Sequence, residues 1–541
     1  MFLFVWSYWL IPYHFHINDD IGIILILNGG YSGENSPNLV FMSSLLGRAL
    51  VALYQLSPDI NWYSLALFAC NFASIFLIEL HLFKYLRGNL ILMTAAILAS
   101  LLFFPFFISS LTFTTAGFLA GFSALLALFT GTFPAGNFKV PLLLGLWLGL
   151  SFLIREESFW GVCLLAAPLW LLPLVKDFKR VLAFSLGAAA LIFAGLASDY
   201  FAYRSPQWQA FLTQSAALYK LNKPFPVPED FPAIIKRTGW SENDLAILVK
   251  YWWTLNEEKY SAQKLENAAE AIRGNRTQQF GSPPGEWLKQ AKKIRDTFPP
   301  YADASLFLFL AICVLNFGRW ARVGVQSGLL LAFFAVSLYT QMFVKFPERI
   351  AIPFFFFYCC TAMVLHVYPR TNNRDSKRWT AYIACFLIAA AAFATVPKFR
   401  DFTQIKTAFV NNRKADFERI MGAMNRLPED GVLIMMWTFP YEAFPVFSHV
   451  HFKKPSSILF VGWPVQSPLF SAPLRRLGFS SGHDFEQRLT RLSRLYLFAT
   501  KDFFELFRNY IKENSGVNLT KETLAEFDLR NGELSRIVPE M

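Results

Sequence analysis

Long apolar runs separated by short charged turns fill the first two hundred residues, and the pattern returns between about 304 and 397. A helix that crosses a bilayer takes about 20 mostly apolar residues, and about eleven runs meet that measure. They lie near 1–17, 62–83, 90–108, 111–131, 139–154, 158–175, 181–198, 304–320, 323–344, 350–368 and 379–397. The first run has no basic leader and no small-residue cleavage site, so it reads as a retained span rather than a signal peptide.

Three stretches are too polar to cross. Residues 18–61 carry an Asp pair and then the amphipathic run NLVFMSSLLGRALVALYQL, with Arg48 on an otherwise apolar helix, which is expected to lie along the membrane surface. Residues 199–303 include SENDLAILVKYWW and a following polar run, read as two helices capped by Ser241 and Ser261, with Gly274 as the stop. In residues 398–541, GVLIMMW, SSILFVGW and RLYLFAT read as buried strands. DFTQIKTAFVNNRKADFERIMGAMNRL and KDFFELFRNYIKEN read as amphipathic helices, which predicts a small α/β domain. The chain thus divides into a bundle with outer loops over 1–397 and a soluble part over 398–541. Asn275 and Asn518 open N-x-T triplets, relevant only in a host that glycosylates that face.

Composition agrees: of 541 residues, 54% are hydrophobic and 16% charged, too few polar residues to cover a soluble surface of this size. The net charge of +12 could suggest nucleic acid, but the basic residues sit at the ends of apolar runs and form no stripe. With the amino terminus cytoplasmic, Lys84, Arg87, Lys139, Lys176, Lys179, Arg180, Arg319, Arg322, Arg370, Arg374, Lys377 and Arg378 fall inside, and Arg155, Lys345 and Arg349 outside. That bias sets the orientation. An odd number of spans then puts the carboxy-terminal domain on the extracytoplasmic side. All six cysteines lie in apolar runs and read as packing residues.

Candidate chemistry gathers at the outer ends. HFHINDD places Asp19 and Asp20 side by side just past the first run. One Asp is enough to cap a helix beginning near Ile21. Adjacent side chains diverge by about 100° on a helix, so two imply two tasks: one faces a cavity as a base, and the other holds amides, a basic group or a cation. His14 and His16 precede the pair at a spacing that fits no closed zinc site, whereas a magnesium- or manganese-type cation could bind the carboxylates themselves. LIREESFWG supplies Arg155, Glu156 and Glu157, read either as a self-neutralising turn or as a phosphate clamp led by Arg155. VKFPERIAIPF adds Lys345, Glu348 and Arg349, and GYSGENSPN adds Glu34 within a turn. A base opposite phosphate-binding cations suits transfer from an anionic, lipid-anchored donor.

With the acidic pair directly after the first span, long outer loops and a soluble carboxy-terminal part, the chain resembles the C-class (GT-C) integral-membrane glycosyltransferase superfamily in an uncharacterised bacterial branch. The resemblance implies a donor sugar on a polyprenyl phosphate or diphosphate, a lipid, glycan or protein acceptor outside the bacterial inner membrane, and one of Asp19 and Asp20 as base. It favours Asp19 in that role. No signature of the protein-mannosylating or oligosaccharyl-transfer branches is present. Two rivals are a noncatalytic subunit of a polysaccharide assembly machine and a lipid or glycan transporter. The latter would place charges at mid-membrane, where only Glu79 and His81 come close.

Overall fold

The structure is a computed structural model that describes residues 13–131, 137–170, 178–221, 230–277, parts of 310–337, 347–367 and, with short gaps, 413–540. Among the described residues, five helices are long and apolar enough to cross a membrane: Trp62–Leu86, Leu90–Ser109, Phe113–Thr130, Phe178–Tyr203 and Glu348–Val367. Two shorter helices, Lys139–Ile154 and Glu156–Trp170, match two more of the expected runs. Most of the first run, and the runs at 304–320, 323–344 and 379–397 in whole or large part, lie outside the described residues.

Phe113–Thr130 forms the axis of the bundle, buried along nearly its whole length. Its Ala, Gly and Thr positions let Trp62–Leu86, Lys139–Ile154 and Glu348–Val367 approach, and the Phe-rich face of the last packs rings into it, with Phe122 and Phe357 centroids 4.8 Å apart. Gly145 and Gly187 perform the same service between Lys139–Ile154 and Phe178–Tyr203, where a Cβ on either would collide with the carbonyl of Phe184 or Leu142. Large apolar side chains such as Leu143, Trp160, Leu164, Leu186 and Phe193 stand exposed around the outside, as a lipid-facing surface requires.

The described helices alternate in direction, so their ends segregate. One end collects the starts of Trp62–Leu86, Phe113–Thr130, Glu156–Trp170 and Glu348–Val367 and the finishes of Leu90–Ser109, Lys139–Ile154 and Phe178–Tyr203. Lys84, Arg87, Lys139, Lys179 and Arg180 lie at the other end. The amphipathic helix Ser44–Leu56 is anchored at the first end: its cap Ser43 accepts from Leu45 N–H, and Asp199 accepts from Ser44 N–H at 2.6 Å. Arg48 is exposed on it.

Against that end sits a mixed α/β module. Its five-stranded sheet has the order β4-β3-β5-β7-β6: β3 (Val432–Met436), β4 (Ser457–Val461) and β5 (Leu495–Thr500) run parallel, and β6 (Leu519–Phe527) and β7 (Gly532–Pro539) are antiparallel. The three parallel strands are those read from the sequence. The hairpin at 519–539 is an addition, since its polar, half-exposed alternation resembles a charged surface segment more than a strand. The helix Glu242–Tyr251 begins at Ser241 with a reciprocal capping box to Asp244. The helix Ala262–Thr277 follows Ser261 but runs on past Gly274, so that glycine is no stop: nothing else there breaks the repeat of i→i−4 bonds.

The outer loops and the sheet share one core. Trp253 Nε1–H donates to Glu486 at 2.6 Å, Gln466 Nε2–H to the Thr254 carbonyl at 2.6 Å, and Asn61 Nδ2–H to the Val446 carbonyl at 2.8 Å. That core includes the helix Asp19–Leu27, every residue of which is buried.

Candidate functional site

The segment HFHINDD enters this interface as a strand. β1 (His14–Phe15) pairs in parallel with β2 (Ser110–Leu111), His16 N–H donates to the Leu111 carbonyl, and the His16 carbonyl accepts from Tyr441 Oη at 3.0 Å. The helix then starts at Asp19 itself, with Asn18 as its cap residue and no side-chain capping bond. The simpler alternative, an Asp capping a helix from Ile21, does not fit: both are first-turn residues of a helix that starts two residues earlier, where the helix dipole favours a negative charge.

The two carboxylates have different surroundings. Asp20 accepts from Tyr63 Oη–H at 2.6 Å and from the backbone N–H of Phe113, which ties it to the starts of two spanning helices. Burial, opposed by these donors, raises its carboxyl well above the usual range. Asp19 is also buried, and burial is the main cause that lifts it to about 6. Attraction to Arg349 and then Arg155 opposes the lift. Asp19 Oδ1 and Asp20 Oδ2 have no hydrogen-bond partner among the described residues, a costly state for buried carboxylate oxygens unless a water, a proton or a ligand completes it.

Arg155 and Arg349 come from separate helix junctions. Arg155 terminates Lys139–Ile154, and its guanidinium carbon lies 5.2 Å from the ring centroids of both Phe41 and Phe113, with Nε 2.9 Å from Glu157. The aromatic pair fixes the plane of the guanidinium. Arg349 occupies the first turn of Glu348–Val367 and acts electrostatically on Asp19, Asp20 and Arg155. Two acids and two cations separated by up to 330 residues in sequence thus meet at one end of the bundle.

The other candidates are placed differently. Glu156 is exposed and accepts from Trp160 Nε1–H at 3.2 Å, Glu157 is the ion partner of Arg155, and Glu348 faces outward. Glu34 lies in a groove beyond the far end of the Asp19–Leu27 helix. The His16 ring packs edge-on against Phe106 at 5.6 Å. Lys345 lies outside the described residues. For a divalent cation, the carboxylates of Asp19 and Asp20 are what the site offers. Among the described residues no group of three or more His, Cys, Asp or Glu forms a metal-binding set, and the positive charge facing Asp19 is supplied by the two arginines.

Sequence reasoning did not identify the contribution of the sheet module. Trp463, just past β4, packs its ring 4.8 Å from that of Phe41 and lies against Gly22, one turn beyond Asp19. Its buried Nε1–H has no acceptor among the described residues. Tyr441 acts on Arg349 and in turn accepts from Arg530 at 2.6 Å. The apolar run SSILFVGW signalled a strand, but nothing local marks Trp463 as packing on the helix that begins at Asp19.

The fold is that of a helical bundle whose apolar helices fit a polytopic membrane protein, with two acids and two guanidinium groups at one end and an α/β module against that end. No protein-family model and no curated protein sequence matches the chain. Its overall course is similar to two crystal structures of ArnT from Cupriavidus metallidurans. The apo state is 13% identical with a TM-score of 0.42, covering 99% of this chain and 96% of that chain. The state bound to undecaprenyl phosphate is 12% identical with a TM-score of 0.37 and the same coverage.

Proposed function

We propose that the protein is a C-class membrane glycosyltransferase that moves a sugar from a polyprenyl phosphate or diphosphate to a lipid, glycan or protein acceptor. The observation that carries this is Asp19: a buried carboxylate with an open oxygen, facing two guanidinium groups at the end of an apolar bundle. A carboxyl lifted to about 6 is ionised at neutral pH yet basic enough to take a hydroxyl proton as the new bond forms.

The step is a single displacement. Asp19 takes the acceptor O–H proton, the acceptor oxygen bonds to the anomeric carbon as the carbon–oxygen bond to the phosphate breaks, and the phosphate leaves with the electron pair. Inversion at that carbon follows. Arg155 and Arg349 stabilise the departing phosphate, a contribution on the order of 3 kcal/mol for a well-placed donor in a water-poor site. Asp20, held by Tyr63 and the Phe113 amide, fixes the helix turn that aims Asp19. The carrier's isoprenoid tail lies along the apolar bundle.

Lys84, Arg87, Lys139, Lys179 and Arg180 at the opposite end favour a cytosolic location for that end. That charge bias supports our assignment of the site and its module to the extracytoplasmic face of a bacterial inner membrane, with the amino terminus inside. The test is sugar transfer from polyprenyl-phosphate sugars in membranes carrying Asp19→Asn or Asp20→Asn. Loss in the Asp19 variant is expected, and full activity in both variants would overturn the proposal and favour the noncatalytic subunit.

A further inference from the structure

Beyond the far end of the Asp19–Leu27 helix, a polar groove of about 670 Å³ opens between the loop at 32–38, the start of the helix Pro206–Leu221 and the helix Pro468–Arg476 of the sheet module. The size suits a small ligand, since such sites commonly hold about 300–1,000 Å³. Asn35 and Asn38 offer amide groups, Trp208 an aromatic edge, and Arg475 and Arg476 two guanidinium groups against the single carboxylate of Glu34. The two arginines are exposed and form no ion pair among the described residues.

Arginines in the last turn of a helix are adequately explained by its dipole when they point into water. Here Arg476 does not stand clear of the fold. It packs against Gly33, whose φ of +84° turns the loop so closely onto the guanidinium that a Cβ would collide with it. The loop thus holds one cation in the groove wall in advance of any ligand, which reduces the ordering cost of binding.

The groove also connects physically to the acids. Trp208 packs edge-on to Tyr203 at 5.0 Å, Tyr203 Oη accepts from Val40 N–H at 3.0 Å, and the next residue, Phe41, covers Arg155. The acid pair opens a nine-residue helix, about 13 Å long at 1.5 Å per residue, and the loop that lines the groove follows its far end. We propose that this groove binds the anionic, hydroxyl-rich head of the acceptor, a glycan carrying phosphate or uronic acid. Arg475 and Arg476 bind the charge through paired donors, and Asn35 and Asn38 bind the hydroxyls. Only the word acceptor rests on the glycosyltransferase proposal; the binding itself does not.

The test is ligand-observed NMR on the purified full chain in detergent, titrated with glucose 1-phosphate, glucuronate and glucose. Saturable binding of one or both anions and none of glucose is expected, and which anion binds identifies the charge as phosphate or carboxylate. Arg475→Ala with Arg476→Ala should weaken binding at least tenfold, whereas Arg475→Lys with Arg476→Lys should weaken it less. Asp19→Asn should bind like the parent, so a failed transfer mechanism and a failed groove are separable. Equal signals from all three sugars, no saturable binding of either anion, or unchanged binding in the alanine variant would each overturn the assignment.

Discussion

Replacing Asp19 by Asn is expected to abolish transfer and at the same time to stabilise the protein in a pH-dependent way. Asp19 is lifted from its ordinary 3.8 to about 6, chiefly by burial. The folded chain therefore holds a proton more tightly than the unfolded one, and stability falls as pH rises between those values. At 1.36 kcal/mol per pH unit, the destabilisation from the ionised form is about 0.5 kcal/mol at pH 4, about 1.6 at pH 5 and about 3 at pH 8. Asparagine is neutral at every pH and close in shape to the protonated acid, so the variant should be favoured by those amounts. The change also removes the negative neighbour that helps lift Asp20, which adds to the gain.

The assay is thermal unfolding of both proteins in detergent at pH 4, 5 and 8. The melting temperature of the variant should exceed that of the parent by an increment that grows with pH and levels off above about 7. An increment that stays flat, or that shrinks toward pH 8, would refute the reasoning, because it would mean that Asp19 is hydrated or neutralised more fully than its burial implies. The parent's rate supplies a second reading: transfer should fall tenfold per pH unit below about 6.

Tyr63→Phe removes the 2.6 Å bond to Asp20 and should cost about 1.5–3 kcal/mol, measured as a lower melting temperature with reduced transfer. Trp463→Phe keeps a ring against Phe41 but deletes the unpaired donor; if that N–H reaches substrate, transfer should drop about tenfold with little change in unfolding, and unchanged kinetics would assign Trp463 to packing alone. Gly145→Leu should force Lys139–Ile154 away from the Phe184 carbonyl at a cost of about 1–3 kcal/mol or more, read as loss of folded protein in membranes. Glu486 is lifted by burial from its usual 4.5 to about 7, so resistance of the outer module to protease should decline from pH 4.5 to 7 and then level; Glu486→Gln should flatten that slope.

The spanning helices were legible because a bilayer imposes one strong rule: each crossing needs a continuous apolar run, whatever its neighbours do. The match from Lys139 to Ile154 and the capping box at Ser241 are local signals of that kind. The acid pair was visible for a related reason, since charge at the end of an apolar run demands an explanation. That two adjacent carboxylates would have different surroundings was legible as well, but the partners of Asp20, Tyr63 and the Phe113 amide, were not, because they arrive from other helices. The hairpin at 519–539 escaped for a third reason. Its residues pattern weakly because one face is half open to solvent, and strand identity there is conferred by pairing with β5 rather than by composition.

The segment around the carboxylates is held by residues distant from it in sequence. Tyr441 grips the His16 carbonyl, Arg413 reaches the carbonyl of Tyr13, and Trp463 closes on Gly22. The helix that opens at Asp19 therefore depends for its cover on residues far along the chain, and a break that detached β4 and Trp463 would leave Gly22 bare even with every apolar helix intact.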